Sequence, residues 1–204
     1  MPEIKSTAKR SNRVITLGSG HIYVNPYSGK IPNTYSEIAA FCAEERRLGY
    51  IKGGASLEYS QETYEEKDDF GIVRKIITTS ETAVMKFGLI TWNGETLKTL
   101  IDRCKTTEMP KSGNDADSSN VRVTKIGGGG NAQGGYYLAV FHHVDKIDGD
   151  VYVAIVGRNT AGATLSFTMD AGTLIEPEFT AIPSDEDGTL ILMFEEIKDA
   201  DEAN

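Results

Sequence analysis

The stretch Ala55-Ser56-Leu57-Glu58-Tyr59-Ser60-Gln61-Glu62 alternates without a break, with Ala55, Leu57 and Tyr59 on one side and Ser56, Glu58, Ser60 and Glu62 on the other. That period of two predicts a strand with one packed and one wet face. A second run, from Ile72 to Leu89, has Ala83, Met85, Phe87 and Leu89 at odd positions and Thr78, Ser80 and Thr82 at even ones. The two runs read as the limbs of a long hairpin over residues 53–89. Between them, Thr63-Tyr64-Glu65-Glu66-Lys67-Asp68-Asp69-Phe70-Gly71 is polar and acidic, and far longer than the roughly two to five residues usual for a hairpin loop. So long a hairpin with so polar a tip needs something outside its own subunit to contact, which reads as an assembly device.

Around it the chain reads as one mainly β domain. Strands are expected at Val121 to Ile126, Tyr136 to Val144, Val151 to Gly157, Thr164 to Met169, Phe179 to Ile182 and Leu190 to Glu196, with an Asp148-Gly149 turn between two of them. The order fits an antiparallel β-sandwich or barrel core with one flanking α-helix, a long β-hairpin and extended terminal arms. The flanking helix is expected over about 93–104, capped by Asn93, with Leu97, Leu100, Ile101 and Cys104 as its apolar stripe. A shorter helical pattern runs from Ser36 through Ile38, Phe41 and Cys42 to Arg47, with Gly49 as its stop. Residues 1–34 read as an N-terminal arm with one or two short strands, 35–198 as the domain, and 199–204 as an acidic tail. Residues 106–120, rich in turn formers, read as a surface loop.

The chain's 204 residues suffice for a large single core. Its net charge of -9 is not spread evenly, because residues 1–175 hold 20 acids and 20 bases, whereas 176–204 hold 10 acids and one base, Lys198. The first 13 residues are net positive, with Lys5, Lys9, Arg10 and Arg13 against Glu3. Complementary ends suggest contacts between subunits. No apolar run approaches the ~20 residues of a spanning helix, so no membrane association is expected. Cys42 and Cys104 have no near partner and read as buried free thiols.

Catalytic chemistry finds little support. Gly127-Gly128-Gly129-Gly130-Asn131-Ala132-Gln133-Gly134-Gly135 lacks the Lys-Ser/Thr of a phosphate loop and precedes a strand, so it reads as a connector. His142 and His143 are adjacent and face opposite sides of a strand, and His21 is distant in sequence, so no metal site is expected. No catalytic residues, no metal and no cofactor are assigned, and an enzyme is the weaker class. A basic patch for nucleic acid is also missing, because the hairpin is acidic, and such a surface suits a conduit that lets a polyanion pass.

Three segments carry a resemblance: Lys52-Gly53-Gly54-Ala55-Ser56-Leu57-Glu58-Tyr59, then Glu65 to Lys75, then Met85-Lys86-Phe87-Gly88-Leu89-Ile90-Thr91-Trp92-Asn93. Together, by order and character, they resemble the major tail proteins of long-tailed bacteriophages, the tail tube subunits. The resemblance covers about Gly49 to Asp102 and follows in outline to Glu196. It implies a structural virion protein whose hexameric rings stack into a tube, assembled in the host cytoplasm, that conducts DNA during genome ejection without sequence-specific binding. The implied partners are further copies of itself, a tape measure protein, a tail terminator and baseplate or distal tail proteins. The implied lumen-facing residues are Ser56, Glu58, Ser60, Glu62, Thr78, Ser80 and Thr82. The implied inter-ring contact is Tyr64, Glu65, Glu66, Lys67, Asp68, Asp69, Phe70, Gly71 and Arg74. Two alternatives stand beside it: the inner tube of a contractile tail, bacteriocin or secretion system, and a virion decoration or carbohydrate-binding module with Tyr59, Tyr136, Tyr137 and Tyr152 as sugar platforms.

Overall fold

The two most apolar strand runs of the chain lie at the centre of the fold, buried on both faces. The computed structural model describes residues 19–72, 74–111, 120–128 and 134–197. Strands β1 (Gly20–Pro26), β2 (Arg47–Gly49), β3 (Ile51–Lys67), β4 (Arg74–Leu89), β7 (Tyr137–His143), β8 (Val151–Asn159), β9 (Glu178–Ala181) and β10 (Leu192–Glu195) form one antiparallel sheet. Its order is β2-β1-β7-β8-β9-β4-β3, with β10 on the first half of β8 and β9 on its second half. Two further strands, β5 (Cys104–Pro110) and β6 (Asn120–Ile126), make a separate ribbon.

Alternate residues of β7 and β8 serve two different cores. Leu138, Val140, Tyr152, Ala154 and Val156 pack with Ile38 of helix α1 (Tyr35–Phe41). On the other face, Ala139 and Ile155 join Ile22, Val24, Met85, Phe87, Leu89 and Phe179, along with Leu97 and Leu100 of helix α2 (Gly94–Leu100). Strands covered on both faces need near-continuous apolar sequence, which Tyr137–His143 and Val151–Asn159 provide. Phe179 is fully buried, its ring 5.8 Å from that of Phe87. Truncating such a side chain costs ~3–5 kcal/mol.

The sheet curls over the second core, so that β1 packs against β3 although four strands separate them in the ladder order. The chain itself closes the seam, because β2, paired to β1 through Gly49 and Ile22, runs directly into β3, while Ile90 N–H donating to the Tyr50 carbonyl at 2.9 Å and Tyr50 N–H donating to Thr91 Oγ1 at 2.7 Å carry the β3–β4 pairing up to the junction. Gly49 lies at this seam and does not stop a helix. A Cβ there would stand 2.5 Å from the Thr91 carbonyl oxygen, so only glycine allows the approach.

Several expectations about element limits are corrected. Helix α1 stops at Phe41 rather than continuing to Arg47, because the Arg46 guanidinium folds back to donate to the Ala40 and Phe41 carbonyls at 3.0 and 3.2 Å. Those bonds satisfy carbonyls that a continuing helix would use. Residues 44–46 form a single 3-10 turn leading into β2. Among the described residues two α-helices flank the sheet, the short one that begins near Ser36 and the one capped by Asn93. Helix α2 begins where expected, with the Asn93 side chain accepting from the Glu95 and Thr96 N–H groups and Thr96 Oγ1 accepting from Asn93 N–H. It ends at Leu100, and Cys104 opens β5, so of the predicted stripe Leu97, Leu100 and Cys104 are buried and Ile101 partly buried, across two elements.

Within 106–120, residues 106–110 are strand rather than loop, and 112–119 lie outside the described residues. Residues 20–26, assigned to the arm, are an interior strand with Ile22 fully buried. The Val14-Ile15-Thr16-Leu17 stretch, the rest of 1–18, residues 129–133 of the glycine-rich connector and the 199–204 tail lie outside the described residues.

The Thr164 to Met169 strand does not form. The segment takes no ladder partner, Leu165 packs on the core, and Phe167 sets its ring edge against Trp92. The Asp-Gly turn is present, with Gly149 at φ 100° and the Asp145 carboxylate accepting from the Ile147 and Asp148 N–H groups. Both thiols are free, and burial pushes Cys42 up to about 12 and raises Cys104, which keeps them protonated.

Candidate interaction surface

Strands β3 and β4 are far longer than the body they leave. Their inner halves pack on the core through Ala55, Leu57, Ala83, Met85 and Phe87, yet every described residue from Glu58 to Thr82 is exposed. The projecting part, Glu58 to Lys67 and Arg74 to Thr82, holds ten and nine residues, or ~30 Å of strand. Pairing continues to Lys67 and Arg74, so the turn is short and Thr63 to Lys67 belong to the strand rather than to an open tip. The sequence concealed this because exposure on both faces removes the apolar alternation that marks a strand.

The register assigns the faces. Ser56, Glu58, Ser60 and Glu62 stand opposite Lys86, Val84, Thr82 and Ser80, so these eight share one side. Lys86, absent from the sequence-derived set, bonds Glu58 at 3.0 Å and Glu178 at 3.6 Å, and the Glu58 bond raises its pKa. Ser80 donates to Glu62 across the same face at 3.0 Å. Thr78 departs from the set. A bulge at Thr79, whose hydroxyl donates to the Glu62 carbonyl at 3.2 Å, shifts the pairing so that Thr78 opposes Thr63. Opposed residues share a face, so Thr78 lies on the side of Thr63, away from Ser80 and Thr82.

Beyond the bulge, Tyr64 opposes Ile77, Glu65 opposes Ile76, Glu66 opposes Lys75, and Lys67 opposes Arg74. Arg74 pairs diagonally with Glu65 at 3.6 Å, Tyr64 donates to the Glu66 carboxylate, and Tyr59 donates to Glu81, a bond that raises the Tyr59 pKa. Asp68, Asp69, Phe70 and Gly71 make the turn, with Gly71 N–H donating to the Asp68 carbonyl at 3.0 Å. Apolar side chains lie bare along this ribbon: Ile76 and Ile77 are about half exposed, Phe70 is 87% exposed and Ile72 is 82% exposed.

The histidines are arranged differently from what their spacing suggests. His21 and His142 are direct cross-strand partners, while His143 faces the opposite side and is buried. His142 Nε2 lies 2.9 Å from Asp150 Oδ2, and its ring stacks on Tyr152 at 4.1 Å. Arg47 Nη2 lies 2.7 Å from His21 Nδ1. A guanidinium only donates, so that nitrogen is an acceptor and His21 is the neutral tautomer with its proton on Nε2. Burial, with Arg47 next, lowers its pKa. Among the described residues no group of three or more His, Cys, Asp or Glu side chains is placed to hold a metal ion. Tyr152 is buried and Tyr137 half-buried, which removes both from any open aromatic platform with Tyr59 and Tyr136. No helix among the described residues is long and apolar enough to cross a membrane. No protein-family model matches the chain, and no curated protein matches it.

Proposed function

We propose that the protein is a structural subunit of a bacteriophage tail tube, without catalytic activity, whose copies form stacked hexameric rings around a channel for DNA. One observation carries this reading: a two-stranded ribbon leaves the domain and is exposed on both faces, with Tyr64, Phe70, Ile72, Ile76 and Ile77 bare. An isolated two-stranded hairpin is at best marginally stable in water, and exposed apolar residues along a strand mark a surface meant to be covered. Copies of the same chain are the occupants that an open-ended, heterologous assembly supplies.

Within this reading the Ser56, Glu58, Ser60, Glu62, Ser80 and Thr82 face lines the channel, and Thr78 leaves that set. Lys86 is neutralised between Glu58 and Glu178, so among these described residues the inner face offers a polyanion no unpaired cation. The ribbon from Tyr64 to Arg74 spans to the next ring. Tape measure, terminator and distal tail proteins are the corresponding partners, and the site of action is the virion tail. Electron microscopy of the purified chain tests the proposal. Rings or tubes with a central channel are expected, and a uniform monomer at high concentration, with or without co-expressed tail proteins, overturns it.

A further inference from the structure

The β5–β6 ribbon has an outward face that no contact among the described residues accounts for. Its pairing sets Lys105 opposite Lys125, Thr107 opposite Val123 and Met109 opposite Val121, all on one side. The other side packs on α2, with Thr106 donating to Glu95 at 2.6 Å, and carries the Arg122–Glu108 ion pair at 2.9 Å. Like charges set directly opposite destabilise a ladder. Lys105 and Lys125 are both exposed, and neither has an ion pair or hydrogen bond among the described residues. Four residues along, ~13 Å away, Met109 and Val121 are 49% and 42% exposed. The face thus joins an unneutralised lysine pair to an apolar pair. The described residues of 103–128 hold Arg103, Lys105, Lys111, Arg122 and Lys125 against Glu108, while Asp115 and Asp117 lie outside them.

The same chain carries the complement. From Glu58 to Thr82 the long hairpin holds seven acids against three bases, and its turn sets Asp68 and Asp69 next to Phe70 and Ile72. We propose that the Lys105/Lys125 and Met109/Val121 face of the β5–β6 ribbon is the docking surface for the acidic turn of the β3–β4 hairpin from a second copy of this chain. The lysine pair takes the carboxylates of Asp68 and Asp69, and the apolar pair takes Phe70 and Ile72. Opposed charges select the partner and speed encounter, and the apolar contact supplies hold. The inference rests on the reading that copies assemble, and it adds which surfaces meet.

A charge-swap experiment separates the two. One full-length variant carries Lys105→Glu and Lys125→Glu, and the other carries Asp68→Lys and Asp69→Lys. Circular dichroism and thermal unfolding verify that each is folded, and sedimentation velocity measures association. Each variant alone confronts like with like and is expected to associate about tenfold or more weakly than the wild type. An equimolar mixture restores opposite charges at every contact and is expected to co-assemble to wild-type size. If both variants alone assemble as the wild type does, or if the mixture of two folded variants stays dissociated, the docking assignment is overturned while the tube reading stands. A wild-type chain that remains monomeric at every concentration overturns both.

Discussion

Thr78 stands directly opposite Thr63, on the reverse side of the hairpin from Ser80, only two residues away. The extra residue that causes this, Thr79, leaves the pairs on either side of it in register. Bulges of this kind bend and twist a strand and so re-aim what lies beyond. Thr79 stands where the ribbon has already left the core, so its effect falls on the projecting part alone.

Deleting Thr79 therefore joins two registered ladders into one regular ladder. Subunit stability is expected to change by no more than about 1 kcal/mol, since only one exposed hydrogen bond is lost, while assembly is sharply weakened because the ribbon points elsewhere. Thermal unfolding and sedimentation of the deletion variant check the two halves of this statement. Unchanged assembly would show that the bulge aims nothing.

The projecting ladder has no core beneath it, so its backbone bonds open to solvent at little cost. Amide hydrogen exchange in the unassembled subunit is expected to be fast from Gln61 to Thr82 and slow in β7 and β8. On assembly the ribbon's amides slow by orders of magnitude. Strong protection of Glu65 to Lys67 in the isolated subunit would contradict this.

The neutral state of His21 sets a direction for pH dependence. Its pKa is lowered in the folded chain from the ordinary 6.5, so below that value the unfolded state binds the extra proton more readily. Its contribution to stability is complete above pH ~6.5 and is lost as pH falls from there through the lowered folded value. The unfolding temperature of the wild type is expected to drop across that window more steeply than that of His21→Gln, whose amide oxygen still accepts from Arg47. Equal slopes for the two proteins would refute the assignment.

The parts of this fold that were legible in sequence are those where burial alternates. Ala55 and Leu57, with Ala83, Met85, Phe87 and Leu89 of β4, and the apolar runs of β7 and β8 declare their faces, and Asn93 with Thr96 declares a helix start, whereas Tyr59, expected on the packed side, is exposed. What escaped has a physical cause in each case. The Thr79 bulge involves no glycine, and the adjacent Ile76 and Ile77 show that the alternation breaks without locating the extra residue. Arg46 ends α1 by reaching back to carbonyls, an event the helical pattern of Glu44 to Arg47 does not reveal. Thr106 and Thr107 stand among the turn formers Pro110, Gly113 and Asn114, which masks the preference of threonine for strands. The His21–His142 pairing joins residues that only the completed sheet brings together.

If the projecting hairpin drives assembly, a subunit that lacks it folds but builds no tube. Replacing residues 63–79 by Asn-Gly closes a tight turn between the opposed residues Glu62 and Ser80 and leaves both cores intact. Negative-stain electron microscopy of this variant beside the full chain, under identical conditions, is the measurement. Rings or tubes are expected from the full chain and only folded, dispersed subunits from the shortened one. Tubes of normal appearance from the shortened chain would contradict the driving role of the hairpin.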